Sequence, residues 1–419
     1  MITMDKLKEI LATWKDEILS TEIFDRQVYP FIREQFLKPV PLVLHGLRRS
    51  GKTFLMYRLI QEFPDAAYVN FEDERFTGAG PEVLDEVYAA YISDAKTERP
   101  ALFLDEVQNI HGWEKFVSRL HSKVKFVVSG SNATLLSSEY SSALTGRHIP
   151  IRVFPLSFKE YVKATGNDQL NPLISEQRAK LRSLLAEYLE FGGFPLASLL
   201  KDKFLLKSTF DAIIFRDVIP RFDIRNPLGL EALARYLVSN PGKPFSYRNL
   251  TSVSNIRHED TVKAYIGFLE KTYLLFNLPR FDYSIRKQVA NLKKVFPADT
   301  SFTRFSGNLF SDERGRLIET IVCNQLARQG FNLFYWKDER EREVDFVVCE
   351  GLKPISLIQV CETIENEKVW KRETESLLMA KEALGVEDAR LLLNHITETP
   401  KIEGIYVQTL LDWMLKTSG

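Results

Sequence analysis

The sequence is poor in cysteine: Cys323, Cys349 and Cys361 are the only three in 419 residues, and no CxxC pair occurs. That excludes a disulfide framework and fits reduced thiols in a cytoplasmic protein. Histidine is also scarce, six scattered residues without a Cys/His cluster, so no zinc site is expected. Neither sign of charge is in excess. Fifty-six Lys+Arg against 56 Asp+Glu rule out a uniformly basic nucleic-acid coat, leaving only local basic faces. No apolar run approaches the ~18 residues a membrane span needs. The N-terminal MITMDKLKEILATWKDEILS has neither an apolar core segment nor a small-residue cleavage site, so no signal peptide and no membrane partner are expected. Twenty glycines and 18 prolines are ordinary for a globular chain and exclude collagen-like or low-complexity readings. No repeat with a period of 20–50 residues is present.

What is present is a change of pattern along the chain. Leu7, Ile10, Leu11, Trp14 and Ile18 recur at helical spacing, which predicts one amphipathic helix over 1–20. From Val40 to Ser131, short apolar runs (Val40–Leu44, Ala66–Phe71, Ala101–Leu104, Val124–Val128) alternate with helical segments. Unalternated runs of that length suit strands buried on both faces of a parallel sheet. Residues 156–225 are helical in period, broken by Gly192-Gly193-Phe194-Pro195. Residues 226–300 hold three short helical patterns and two strand-like runs. Residues 301–419 read as helix (Gly315–Gln329), three strands (Asn332–Trp336, Glu343–Cys349, Pro354–Val360) and helix.

Gly46-Leu47-Arg48-Arg49-Ser50-Gly51-Lys52-Thr53, followed by Phe54, fits GxxxxGK[ST] between a strand and a helix. About one or two chains in a hundred of this length match by chance from average residue frequencies, and the strand–loop–helix setting lowers that further. In such a loop the glycines let backbone N–H groups approach phosphates. Lys52 reaches the β- and γ-phosphates, and Thr53 gives an oxygen to Mg²⁺. Ala101-Leu-Phe-Leu-Asp105-Glu106 is the expected companion: Asp105 for the Mg²⁺ shell, Glu106 as the base that polarises the attacking water. Lys125-Phe-Val-Val-Ser-Gly-Ser131-Asn132 ends a strand in small polar groups, which offers Ser131 or Asn132 as a polar sensor of the γ-phosphate. His45, beside the loop, reads as a packing residue at a strand end. ATP and Mg²⁺ are thus the expected ligands.

These motifs, with Leu144-Thr145-Gly146-Arg147, Pro155-Leu-Ser-Phe-Lys-Glu160, Gly192-Gly193-Phe194-Pro195 and Phe215-Arg216-Asp217-Val218, resemble the AAA-type archaeal-ATPase family of the STAND/AAA superfamily. The resemblance implies an α/β chain: a parallel-sheet P-loop ATPase core (21–155) after the N-terminal helix, a helical lid (156–225), a winged helix (226–300) and a C-terminal restriction-endonuclease-like α/β domain (301–419). It makes Arg147 a phosphate-sensing or finger arginine and Arg216 a weaker one.

Between Pro241 and Thr300, ten Lys/Arg face five Asp/Glu. This local basic segment resembles a winged helix, with Thr261–Leu269 as recognition helix, and offers Arg248, Lys263, Lys293 and Lys294 as contacts to double-stranded DNA. In 301–419 the order Glu319, Asp345, Gln359, Cys361 looks like the PD-(D/E)xK nuclease site. Gln359 stands where the acid belongs, however, and Cys361 where the lysine belongs. A neutral amide is a weak Mg²⁺ ligand and a thiol cannot replace an ammonium, so cleavage is expected to be lost. The expected function is an ATP-driven switch coupled to a winged-helix and nuclease-like module acting on DNA. The alternatives are a STAND-like scaffold that binds protein partners or itself, and an ATP-gated nuclease.

Overall fold

A computed structural model describes residues 2–93, 100–131, 147–306, 314–363, 367–396 and 400–417. They fall into two compact units, Met1–Pro155 and Leu156–Gly419. No helix among the described residues is long and apolar enough to cross a membrane.

The first unit has five strands: β1 (Leu42–His45), β2 (Ala67–Asn70), β3 (Ala101–Asp105), β4 (Lys125–Gly130) and β5 (Ile149–Arg152). They form one parallel sheet in the order β2-β3-β4-β1-β5. The unalternated apolar runs are buried throughout β1 and β3, as a sheet covered on both faces requires. Its helices are α1 (Met4–Ser20), α2 (Tyr29–Phe36), α3 (Lys52–Glu62), α4 (Glu82–Ile92) and α5 (Trp113–Leu120). The expected N-terminal helix is α1, and it belongs to this core: Leu7, Ile10, Trp14 and Ile18 are buried, and Trp14 meets Tyr68 edge-on at 5.6 Å. The α/β core expected of a P-loop ATPase is therefore present. β5 was not legible in sequence. It is an edge strand that carries Pro150, the position where a missing N–H is tolerated.

The second unit opens with α6 (Phe158–Ala164), α7 (Ser175–Phe191), α8 (Pro195–Leu200) and α9 (Lys203–Ala212), the last running into a π-helical turn, Ile213–Val218. Three helices follow, α10 (Pro227–Ser239), α11 (Tyr247–Ser254) and α12 (Glu259–Lys271). With them goes an antiparallel sheet β6-β8-β7 made of β6 (Pro244–Phe245), β7 (Leu275–Pro279) and β8 (Lys293–Pro297), with α13 (Ile285–Ala290) between β7 and β8. The last part contains α14 (Arg314–Arg328), β9 (Asn332–Lys337), β10 (Glu343–Glu350), β11 (Lys353–Cys361), α15 (Glu367–Leu384), β12 (Asp388–Leu393), β13 (Tyr406–Thr409) and α16 (Leu410–Lys416). Its sheet, β13-β12-β11-β10-β9, is antiparallel through β9, β10 and β11 and parallel through β11, β12 and β13. A C-terminal α/β sheet domain is thus present.

Residues 156–225 share a hydrophobic core with this C-terminal sheet. Phe158, Leu185 and Tyr188 pack in one cluster with Ile321, Phe346 and Trp413. Arg178 donates to both carboxylate oxygens of Asp412, at 2.9 and 2.8 Å, fixing α7 to α16. The Gly192-Gly193 turn is shaped by Asp299. This buried carboxylate accepts from the Gly193 N–H at 2.7 Å, and a Cβ on Gly192 (φ +71°) would lie 1.7 Å from its Oδ1.

Candidate nucleotide site

The site lies where β1, β3 and β4 end. Leaving β1, the chain turns at Gly46 with φ +148°, and a Cβ there would meet the carbonyl oxygen of Val153 at 2.2 Å. Only glycine allows that approach. Gly51, at φ +100°, opens α3, so Lys52 and Thr53 occupy its first turn, where free N–H groups and the helix dipole favour an anion. Arg49 also has positive φ, and Arg48 is paired with Glu72 at 2.8 Å. Phe54 is exposed on the outer face of the first turn. The Ser50 hydroxyl is buried and has no hydrogen-bond partner among the described residues, a donor that a phosphate oxygen would satisfy.

Lys52 is buried. Its ammonium lies over the loop, 3.2 Å from the Gly46 carbonyl, 3.0 Å from that of Leu47 and 3.7 Å from Glu106 Oε1. Asp105, fully buried at the tip of β3, is saturated with donors. Its Oδ2 accepts from Thr53 Oγ1 at 2.6 Å and from the Tyr68 hydroxyl at 2.8 Å; its Oδ1 accepts from the Ser129 hydroxyl and from the Glu106 N–H at 3.1 Å. Burial and the neighbouring Glu106 charge push the Asp105 carboxyl up, while the bonds from Ser129, Thr53 and Tyr68 pull it back. Thr53 Oγ1 gives its proton to Asp105 and keeps a lone pair, so Thr53 fits Mg²⁺ as a direct oxygen ligand, with the Asp105 charge behind it in the ion's outer shell.

Glu106 adopts a left-handed backbone (φ +48°), uncommon for a side-chain-bearing residue and costing on the order of 1 kcal/mol or more. The Gln108 amide holds its Oε2 at 2.5 Å. Ser131 is buried at the end of β4, while Asn132, with Leu144, Thr145 and Gly146, lies outside the described residues. Burial, together with the charges of Arg152, Lys52 and His148, depresses the His45 imidazole to about 3, so it packs as a neutral ring beside the loop.

Arg147 is exposed and stands apart from these groups. The register pairs Leu42 with Ile149 and His45 with Arg152, so Arg147 precedes β5 at the end of the sheet away from the loop. It is not brought beside Lys52 of its own chain. Arg216 is exposed in the second unit.

Four residues that the sequence reading missed complete the site. Tyr68 and Ser129 reach Asp105 from the strands on either side, and Gln108 steadies Glu106. Buried Arg26 donates to the Ser50 carbonyl at 3.0 Å and to the carbonyls of Phe154 (2.8 Å) and Pro155 (3.3 Å), bracing the loop against the chain that leaves β5.

The family described as AAA domain matches residues 38–162, the stretch that builds this site. Domains of unknown function DUF8612 and DUF4143 match 182–312 and 314–412. Over 364 residues the chain is 33% identical to the uncharacterized protein MJ1544 of Methanocaldococcus jannaschii, covering 83% of this chain and 80% of that protein. The chain belongs to this family of AAA-domain proteins. A second relative, an uncharacterized protein of Haemophilus influenzae, is 27% identical over 415 residues, covering 95% of this chain and 99% of that one. Among solved structures, the Walker-type ATPase PABY2304 of Pyrococcus abyssi superposes with a TM-score of 0.42 at 18% identity, over 67% of this chain and 95% of that one.

In this AAA-domain chain the basic residues offered for DNA are not equivalent. Arg248 and Lys263 are exposed on α11 and α12, and Lys293 is partly buried. Lys294 corrects the sequence reading. It is 3% exposed, ion-paired to Glu343 at 2.5 Å, and its ammonium lies over the Tyr335 ring, so no phosphate can reach it.

The residues matched to a nuclease site do gather. The Asp345 N–H donates to Gln359 Oε1 at 3.0 Å, and Asp345 Oδ2 accepts from the Val360 N–H at 2.9 Å. Glu373, another residue missed in sequence, accepts from the Gln359 amide at 2.5 Å. Cys361 donates to the Thr363 carbonyl, and burial with the nearby Glu373 charge pushes its thiol up to about 11. It stays a neutral thiol where a cation would be needed.

Proposed function

We propose that this protein is an ATPase that works as a nucleotide-driven switch. The observation that carries this reading is the pairing of Thr53 with Asp105 at 2.6 Å while Glu106 faces the Lys52 ammonium at 3.7 Å. ATP would lie along the first turn of α3, with its phosphates on the backbone N–H groups from Gly51 to Thr53 and on the Lys52 ammonium. Thr53 and Asp105 would hold Mg²⁺, which supplies neutralisation of phosphate charge. The left-handed turn at Glu106 aims its carboxylate at the same point, where it takes the proton of the attacking water. Ser131, buried where β4 ends, would sense the γ-phosphate. Arg147, remote from its own loop, would serve the site of a second copy, which makes self-association part of this reading.

The second unit would receive the signal. Its first helices share a core with the C-terminal sheet, so the segment expected as a lid and the nuclease-like domain would move together. Three helices with a three-stranded antiparallel sheet, whose first strand β6 lies between α10 and α11, support a winged helix, with Arg248 and Lys263 as exposed bases for duplex phosphates. A protein partner is the second reading, favoured by Leu196, Leu200 and Phe204, exposed at 63%, 63% and 86% on neighbouring helices.

Calorimetry tests the nucleotide reading: wild type binds ATP–Mg²⁺, and Lys52→Ala loses that affinity; equal affinity would refute it. A salt titration of duplex binding separates the partners. Arg248→Ala with Lys263→Ala should weaken DNA binding and flatten its salt dependence, whereas absence of any DNA binding favours the protein partner.

A further inference from the structure

A nuclease of the kind that residues 301–419 resemble needs carboxylates around a divalent ion. Here the carboxylates are present, but with Lys294 among them their arrangement does not hold a metal. Among the described residues, no three His, Cys, Asp or Glu side chains are grouped to hold one. Something else stands between them.

Between Val344 and Val347 the register of β10 slips against β9, with Asp345 and Phe346 opposite the single residue Tyr335. Such bulges re-aim side chains. Beside it, Glu343 and Asp345 meet Lys294, which projects from β8 of the neighbouring sheet. The Lys294 ammonium is 2.5 Å from Glu343 Oε1 and 4.0 Å from Asp345 Oδ1. Glu319 of α14 adds a third carboxylate acting on the same ammonium, and its Oε2 fits because position 242 is glycine, where a Cβ would come within 2.7 Å. Tyr335 closes the pocket with its ring 5.2 Å from the ammonium, and Lys337 reaches the other oxygen of Glu343 at 3.8 Å. Next along β8, Phe296 stacks obliquely on Phe346 at 5.8 Å, so apolar packing and the ion pair join the same two strands.

A buried lysine with this much carboxylate around it is not a chance surface pair. Lys294 and Asp345 are both buried, and neither charge can be left there without an opposite partner; Glu343, partly exposed, adds a second anion to the same ammonium.

We propose that Lys294 is a resident cation: its ammonium takes the place of a divalent ion among Glu343, Asp345 and Glu319. The nuclease-type cluster thereby becomes an ionic clamp that fastens β8, and with it the segment carrying α10 to α12, to the C-terminal sheet. The proposal rests on the nuclease-like reading of that sheet and is independent of the nucleotide site. It explains the pattern at Gln359 and Cys361 from the other side. Once a lysine fills the cluster, neither a metal-binding acid at 359 nor a water-orienting cation at 361 has a task.

The test uses the full chain without nucleotide, titrated with Mn²⁺ and read by the electron paramagnetic resonance of the free ion. Wild type should bind Mn²⁺ no differently from Asp345→Asn. Lys294→Met should melt lower by on the order of 10 °C. It should gain about one further Mn²⁺ per chain and recover part of its melting temperature in millimolar Mn²⁺. Both gains should vanish when Asp345→Asn is added. Mn²⁺ bound by wild type and lost in Asp345→Asn would overturn the proposal, as would a folded Lys294→Met that binds no extra ion. If Lys294→Met does not fold, Lys294→Met with Glu343→Gln decides. Removing cation and nearest anion together should restore folding, and a double variant no better than the single one would also overturn the proposal.

Discussion

The Arg26 guanidinium donates to the Ser50 carbonyl at 3.0 Å from a position twenty-four residues earlier in the chain. Its other nitrogen is held by the carbonyls of Phe154 and Pro155. One buried cation thus fixes the phosphate loop to the chain that follows β5, and the loop's backbone is set before any phosphate arrives. A loop prepared in this way binds with less ordering cost.

Arg26 is therefore expected to be a positioning residue for ATP. Arg26→Met leaves three buried carbonyls without a charged donor and should weaken ATP affinity by about tenfold. Arg26→Lys, with a single point charge in place of the fork, should fall between. Calorimetric affinities that match wild type in both variants would make Arg26 a packing residue only.

His45 gives a pH dependence of stability. The unfolded imidazole takes a proton near 6.5, the folded one only near 3. As pH falls through that window, protonation favours the unfolded chain and stability is lost. Between pH 7.5 and 5, wild type should lose about 2 kcal/mol more than His45→Gln. Denaturation of the two proteins at both pH values reads the difference, and parallel losses would place the burden of acid sensitivity elsewhere.

The strands were legible because four apolar runs lacking alternation can only be buried on both faces, and the loop because its glycines and lysine have fixed spacing. Residues whose roles depend on register were not. Ser129 meets Asp105 because Val128 pairs with Leu104, one position earlier on each strand, a relation that no local pattern contains. The sequence reading named Ser131 or Asn132 for a different task, sensing the γ-phosphate, and did not single out Ser129. Tyr68 and Arg26 act across still longer separations. Lys294 misled for a different reason: counting bases along 241–300 treats each as solvent-facing, the usual state of lysine, and the carboxylates paired with it, Glu343 and Asp345, lie 49 and 51 residues further on.

Arg147 separates a finger from a structural residue through mixing. If it serves the site of a second copy, Arg147→Ala should retain ATP binding and lose hydrolysis by about a thousandfold. Lys52→Ala, which keeps Arg147 but cannot bind ATP, should restore activity when mixed with it. Turnover that stays low in every ratio would remove the in-trans assignment.

In the proposed hydrolysis Glu106 removes the proton from water attacking ATP held by the loop. Glu106→Gln keeps the shape of the side chain and deletes its basicity. ATP–Mg²⁺ affinity measured by calorimetry should stay close to wild type while turnover falls by about 10²–10⁴. An enzyme that loses its base but still hydrolyses ATP near the wild-type rate would contradict the account.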